Sequence, residues 1–191
     1  MKKNVVSEKI LALMNTQRIT NQDLSDRSGL TVSQIELILT NEKVPSLSSL
    51  IKIARALGVR VGTFLDDTES TGAVVHRKNM YTTPATFSSQ LSDANSHLDF
   101  YALAGSKSDR HMEPFIIEIN PSTTTAEPIL SSHEGEEFIF VMNGNVKIVY
   151  GKDTYILNTG DSIYYDSIVD HLVSAANSEP AQILAVVYTP V

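Results

Sequence analysis

Two periodicities divide the chain. Up to about residue 66 apolar positions recur every three or four residues; beyond about residue 73 they come in short runs separated by Gly, Asn, Asp, Pro or Ser. In the first part Val5, Ile10, Leu11, Leu13 and Met14 predict a helix of about three turns. Thr20 reads as the N-cap of a helix from Asn21 to Ser28, and Gly29 suits the left-handed position that ends it. Thr31 caps the next helix, with Ile35, Ile38 and Leu39 inward and Val32, Ser33, Gln34, Glu36, Leu37 and Thr40 outward. Pro45-Ser46 opens a fourth helix that ends at Gly58, and Val61 to Leu65 forms a short fifth turn. Five short helices with a Gly-containing turn between the second and third make a helix-turn-helix unit.

The second part predicts strands at Ala73 to His76, Leu98 to Leu103, Phe115 to Ile119, Glu137 to Met142, Val146 to Tyr150, Thr154 to Leu157, Ser162 to Tyr165, Leu172 to Ala175 and Ile183 to Tyr188. Asn143-Gly144 and Asn158-Thr159-Gly160-Asp161 are strong turn signals, and Ser92 to Ser96 reads as a loop. Such a series indicates a double-sheet jelly roll or small barrel. The expected fold is therefore multidomain: an all-α helix-turn-helix domain over 1–66, a polar acidic linker over 67–72 and an all-β domain over 73–191. Both faces of the strand from Glu137 to Met142 are apolar, Phe138, Phe140 and Met142 lying opposite Ile139 and Val141, so the outer face is expected to be covered by a second subunit.

Charge separates the same two parts. The net charge of −7 is the sum of about +3 over residues 1–66 (nine Lys/Arg, six Asp/Glu) and about −10 over the rest (six against sixteen). Only the first part suits a polyanion. There is no cysteine, so a metal would be held by His, Asp, Glu or water. The polar Met-Lys-Lys start and the lack of a long apolar run predict a cytoplasmic protein.

The residues Asp23-Leu24, Gly29-Leu30-Thr31, Pro45-Ser46-Leu47, Leu50, Ile53-Ala54 and Ala56-Leu57-Gly58-Val59 resemble the lambda-repressor-like, xenobiotic-response-element type of DNA-binding domain. The resemblance implies a recognition helix in the major groove of double-stranded DNA, with Thr31, Val32, Ser33, Gln34, Leu37, Thr40 and Lys43 as the DNA-facing set and Gln34 as a reader of adenine. Lys9, Arg18, Arg27, Lys43 and Lys52 would supply phosphate contacts. Leu39 and Asn41 stand where that family has Glu and Gly, and Asn retains access to the left-handed conformation.

His133, Glu137, Gly144, Gly160-Asp161 and His171 resemble the two motifs of the cupin superfamily over roughly residues 110–189. By that resemblance His133, Glu137 and His171 form a two-His, one-carboxylate set for one divalent metal ion, Fe, Ni, Mn or Zn, with Ser131 in place of the first histidine. On a flat strand His133 and Glu137 would stand roughly 13 Å apart at about 3.3 Å per residue, so a bend is required, and Gly135 supplies it. Ser131, Ile139, Val141 and Tyr101 are the expected pocket residues beside them.

Together these resemblances imply a DNA-binding transcriptional regulator, a homodimer or higher homo-oligomer, whose cupin domain senses a small molecule. The alternative is a mononuclear non-haem iron oxygenase or epoxidase similar to hydroxypropylphosphonic acid epoxidase, which has the same domain order. Arg18 stands where that enzyme family has a substrate-binding lysine, while Asn95 and Leu103 stand where it has an arginine and a tyrosine.

Overall fold

The computed structural model describes residues 5–65, 72–77, 85–88, 97–107, 110–121 and 130–190. The linker boundary, the Ser92 to Ser96 loop and Asn95 lie outside these residues.

The helical part comprises α1 (Val5–Gln17), α2 (Asn21–Ser28), α3 (Val32–Leu39), α4 (Leu47–Ala56) and α5 (Gly62–Leu65). Capping residues fix most of the boundaries. The Thr20 side chain accepts from the Asp23 amide while the Asp23 carboxylate accepts from the Thr20 amide, and Thr31 and Gln34 repeat the arrangement at α3. Gly29 ends α2 at φ 71°. Beyond α3, Asn41 takes the left-handed conformation at φ 60° and its side-chain oxygen accepts from the Ser7 hydroxyl at 2.7 Å, so the turn anticipated for asparagine forms. Ile10, Leu24, Ile35, Leu50, Ile53 and Phe64 fill the core of the unit, all with 1% exposure or less.

The β part holds β1 (Ala85–Ser88), β2 (His97–Ala102), β3 (Met112–Ile119), β4 (Glu136–Asn143), β5 (Asn145–Tyr150), β6 (Asp153–Asn158), β7 (Ser162–Asp166), β8 (His171–Ala175) and β9 (Ala181–Tyr188). They form two antiparallel sheets, ordered β1-β2-β3-β9-β4-β7 and β6-β5-β8. Residues 73–76, expected as a strand, form none, and β1 arises where no strand was expected. The Asn143-Gly144 turn, with Gly144 at φ 79°, carries the chain from one sheet to the other, since β4 pairs with β7 and β9 while β5 pairs with β6 and β8. Phe115, Ile117 and Ile119 of β3, Ile139 and Val141 of β4, and Ile183, Ala185 and Val187 of β9 bury one sheet face, joined by Val146 and Ile148 of β5. On the other side of the larger sheet Met112, Phe140, Met142, Tyr164 and Tyr188 are exposed.

Polar side chains join helices and sheets at Glu113 and at the segment before β4. Glu113 and Arg110 form a buried ion pair at 2.6 Å, and Gly62 of α5 lies against it: a Cβ there would come within 2.3 Å of Arg110 Nη2. Arg60 approaches Glu113 Oε1 at 3.6 Å. At the second contact α4 meets the segment before β4. Ser48 Oγ donates to the Ser132 carbonyl at 3.0 Å, and Arg55 pairs with Glu134.

Candidate functional site

His133, Glu137 and His171 come together at one end of the β part. His133 lies in the segment before β4, Glu137 is the second residue of β4 and His171 the first of β8. Gly135, at φ 112°, makes the required bend, so four residues of separation become 2.8 Å between His133 Nε2 and Glu137 Oε1. The opposite histidine is placed by a reciprocal backbone pair, Ser131 N–H to the His171 carbonyl at 2.7 Å and His171 N–H to the Ser131 carbonyl at 2.8 Å. Ser131 therefore holds the motif together through its backbone, where the cupin motif has a histidine ligand.

The polar atoms around the triad determine its chemistry. His133 Nδ1 faces the Glu134 carbonyl at 3.0 Å, and His171 Nδ1 faces the Val169 carbonyl at 2.8 Å. A carbonyl only accepts, so both Nδ1 atoms carry hydrogen and both Nε2 atoms point inward, offering lone pairs whenever the rings are neutral. The lone pairs meet Glu137 Oε1, another acceptor, at 2.8 and 3.5 Å. Three acceptors converging in a buried site need a cation among them, either protons on the imidazoles or a metal ion.

The donor set fits a divalent ion. The three ligand atoms all lie within 4.8 Å of one another and all three residues are buried. Bonds of about 2.0–2.2 Å require donors roughly 3 to 3.5 Å apart, so the 2.8 Å pair would open slightly and any wider separation close. Two imidazoles and a carboxylate without sulfur suit Fe, Mn, Ni or Zn and leave coordination positions open. Tyr165 donates to Glu137 Oε2 at 2.8 Å and Ser167 to Oε1 at 3.3 Å, fixing the carboxylate.

Protonation equilibria follow the same contacts. Burial opposes the charged form of Glu137, but hydrogen bonds from His133 and His171 outweigh it and hold the carboxyl well below its usual range. Burial likewise opposes a charged His171, and the adjoining Glu137 carboxylate raises its pKa nonetheless. Tyr165 is pushed up by burial and then by the charge of Glu137, so it remains a phenol donor.

Above the triad lies a cleft of about 210 Å³. Ser131 and Ile139 line it. Two other expectations are corrected. Val141 is fully buried in the core beyond the cleft wall, and Tyr101 is turned to the other side of β2, where its hydroxyl donates to Glu118 at 3.3 Å. Alternation along β2 gives that place to Leu98 and Phe100. The helical unit forms the facing wall, through Gln34 and Ile38 of α3, Lys43, and Ser48 and Lys52 of α4. Neither this wall nor the Tyr165 and Ser167 supports were expected from sequence. The strand alternation of Ser162 to Asp166 is the one signal that could have placed Tyr165 inside.

On the expected DNA-facing set, Thr31, Ser33 and Thr40 are exposed and Val32, Gln34, Leu37 and Lys43 half-buried. Gln34 Oε1 accepts from the Thr31 amide at 2.8 Å, and the Thr40 hydroxyl donates to the Glu36 carbonyl at 2.9 Å. Gln34 is therefore also a capping residue, with its amide nitrogen as the remaining donor.

Comparison with known proteins accords with this division. Residues 9–70 match the family model of the Cro/C1-type HTH DNA-binding domain, and residues 115–187 match that of the cupin domain. The HTH-type transcriptional regulator PuuR of Escherichia coli is 20% identical over 186 residues, covering 96% of this chain and 94% of its own. The crystal structure of an HTH_3 family transcriptional regulator from Vibrio cholerae superposes with a TM-score of 0.70 at 18% identity, covering 99% of this chain and 97% of that one. An Fe(II)-HppE structure with an alternative substrate gives 0.51 at 18% identity, covering 98% of this chain and 99% of that one. At these identities the structural likenesses establish fold.

Proposed function

Because the chain joins a Cro/C1-type helix-turn-helix DNA-binding domain to a cupin domain, we propose that it is a transcriptional regulator whose cupin cleft senses a small molecule. The observation that carries the reading is the intact helix-turn-helix geometry, with capped α2 and α3 and the left-handed Gly29 between them, continuous with a β domain that holds a cleft. Thr31, Val32, Ser33, Gln34, Leu37 and Thr40 are the residues assigned to the DNA, with Lys43 beside them. Base discrimination rests on Gln34, and phosphate attraction makes binding fall as salt rises.

His133, Glu137 and His171 would hold one divalent metal, which would supply a Lewis-acidic anchor for the effector. The chain's own residues orient it: the Glu134 and Val169 carbonyls fix the imidazole tautomers, and Tyr165 and Ser167 hold the carboxylate. The exposed apolar face around Phe140, Met142, Tyr164 and Tyr188 supports a homodimer, which would pair two DNA-reading heads.

Binding of the full chain to its own upstream DNA, measured at several salt concentrations against scrambled DNA, tests the reading. Salt-sensitive, sequence-dependent binding is expected, and equal binding to both DNAs would overturn it. The buried two-His, one-carboxylate set is the one observation that favours an oxygenase. Against that reading, Arg18 is exposed at the end of α1 and does not line the cleft. Iron-dependent oxygen consumption with a small phosphonate or acid would restore it.

A further inference from the structure

The cleft wall carries a marked charge imbalance. Among the described residues that line it, Glu137 is the only acid, and it is engaged by His133, Tyr165 and Ser167. Lys43 and Lys52 face the same space from the helical unit. Lys52 is half-buried, and no ion-pair partner is found for it among the described residues. Apart from the triad, Ser131 and Ser132, the described β wall is apolar, with Leu98, Phe100, Ile117 and Ile183 among its lining residues. A cationic side chain lining an otherwise apolar chamber favours an anion there over a cation.

The setting of Lys52 on α4 is specific. Ser48 lies one turn before it and Arg55 nearly one turn after it, so the three share a face. Ser48 holds the Ser132 carbonyl and Arg55 holds Glu134, the two neighbours of His133. Lys52 stands between these contacts and lines the clefts on both sides of the His133 segment.

We propose that Lys52 is the anion-binding residue for the effector, and that the effector is a small monocarboxylate with an apolar body, held between the triad and the helix-turn-helix unit. This rests on the sensing role proposed above and adds the ligand's chemical class and its grip. A cleft of about 210 Å³ limits the molecule to less than a drug-sized ligand, whose pockets begin at about 300 Å³. Cationic amines find no carboxylate outside the triad on the described wall. An occupant touching both Lys52 and the triad bridges the two domains and favours the arrangement in which Gln34 faces the cleft, coupling occupancy to DNA reading.

The test uses the metal-loaded full chain and two probe sets, hexanoate, 2-oxohexanoate and benzoate against hexylamine and benzylamine, read by thermal shift and titration calorimetry. At least one acid is expected to raise the melting temperature and the amines to leave it unchanged. Lys52→Met is expected to weaken acid binding about tenfold or more, with Lys52→Arg restoring part of it. Stabilisation by amines alone, no stabilisation by any of the acids, or equal acid binding by Lys52→Met would overturn the proposal. DNA binding measured on the same samples separates the two readings. Acid binding without DNA binding removes the regulator role and leaves the anion site, whereas DNA binding without acid binding removes the anion site alone.

Discussion

The Tyr188 carbonyl oxygen stands 1.9 Å from the point where a Cβ on Gly135 would lie, so the bend joining His133 to Glu137 is closed against the end of β9. The backbone there adopts φ 112°, which strains any other residue. Gly135→Ala must therefore displace the bend. It is expected to destabilise the protein by roughly 2 to 4 kcal/mol and to lower metal content, as read by urea denaturation and metal analysis.

Protein purified without chelator is expected to carry one divalent ion per chain, and His133→Ala or His171→Ala to carry little or none. Chelation should lower the melting temperature of the wild type and leave both variants nearly unaffected, because only the wild type gains stability from the ion. Stoichiometric metal in both variants would place the ion elsewhere.

Stability of the chelated protein should depend on pH from both sides. Glu137 is depressed in the folded state, so its contribution is present above the ordinary carboxylate pKa and disappears as pH falls through the folded value. His171 is raised, so its contribution is full below the ordinary histidine pKa and disappears as pH rises through the folded value. Melting temperature should therefore peak between the two ranges, with Glu137→Gln flattening both limbs, because the Glu137 carboxylate is what raises His171, and His171→Gln flattening the alkaline one.

Gln34 carries two roles that substitution separates. Gln34→Ala removes the acceptor for the Thr31 amide and should cost about 0.5 to 1 kcal/mol as well as sequence preference. Gln34→Glu keeps the acceptor but loses the amide donor. Unchanged stability with lost preference in competition binding is the expected outcome for that variant.

Legibility in the sequence followed the range of the interactions. The helix ends were readable because Thr20, Gly29, Thr31 and Ser46 act on their own neighbours. The bend at Gly135 was readable because two ligands four residues apart cannot meet on a flat strand. Tyr165 and Ser167 reach Glu137 across 28 and 30 residues, and that proximity depends on the pairing of β4 with β7. Tyr101 was misplaced by the parity of β2: a shift of one residue exchanges its face with that of Phe100. The α4 wall was invisible because nothing in either segment announces where helices dock on sheets.

Gly62 packs so closely on Arg110 that the last helical turn shields the Arg110–Glu113 pair of the neighbouring domain. Dissection at the acidic segment would therefore not yield two self-sufficient pieces. A fragment beginning after residue 72 would bare a charge pair shaped for a covering backbone, and the isolated helical piece would lose the surface on which α5 rests. The two parts are seamed in their physics, and characterisation of either half alone would describe a molecule with an unfinished side.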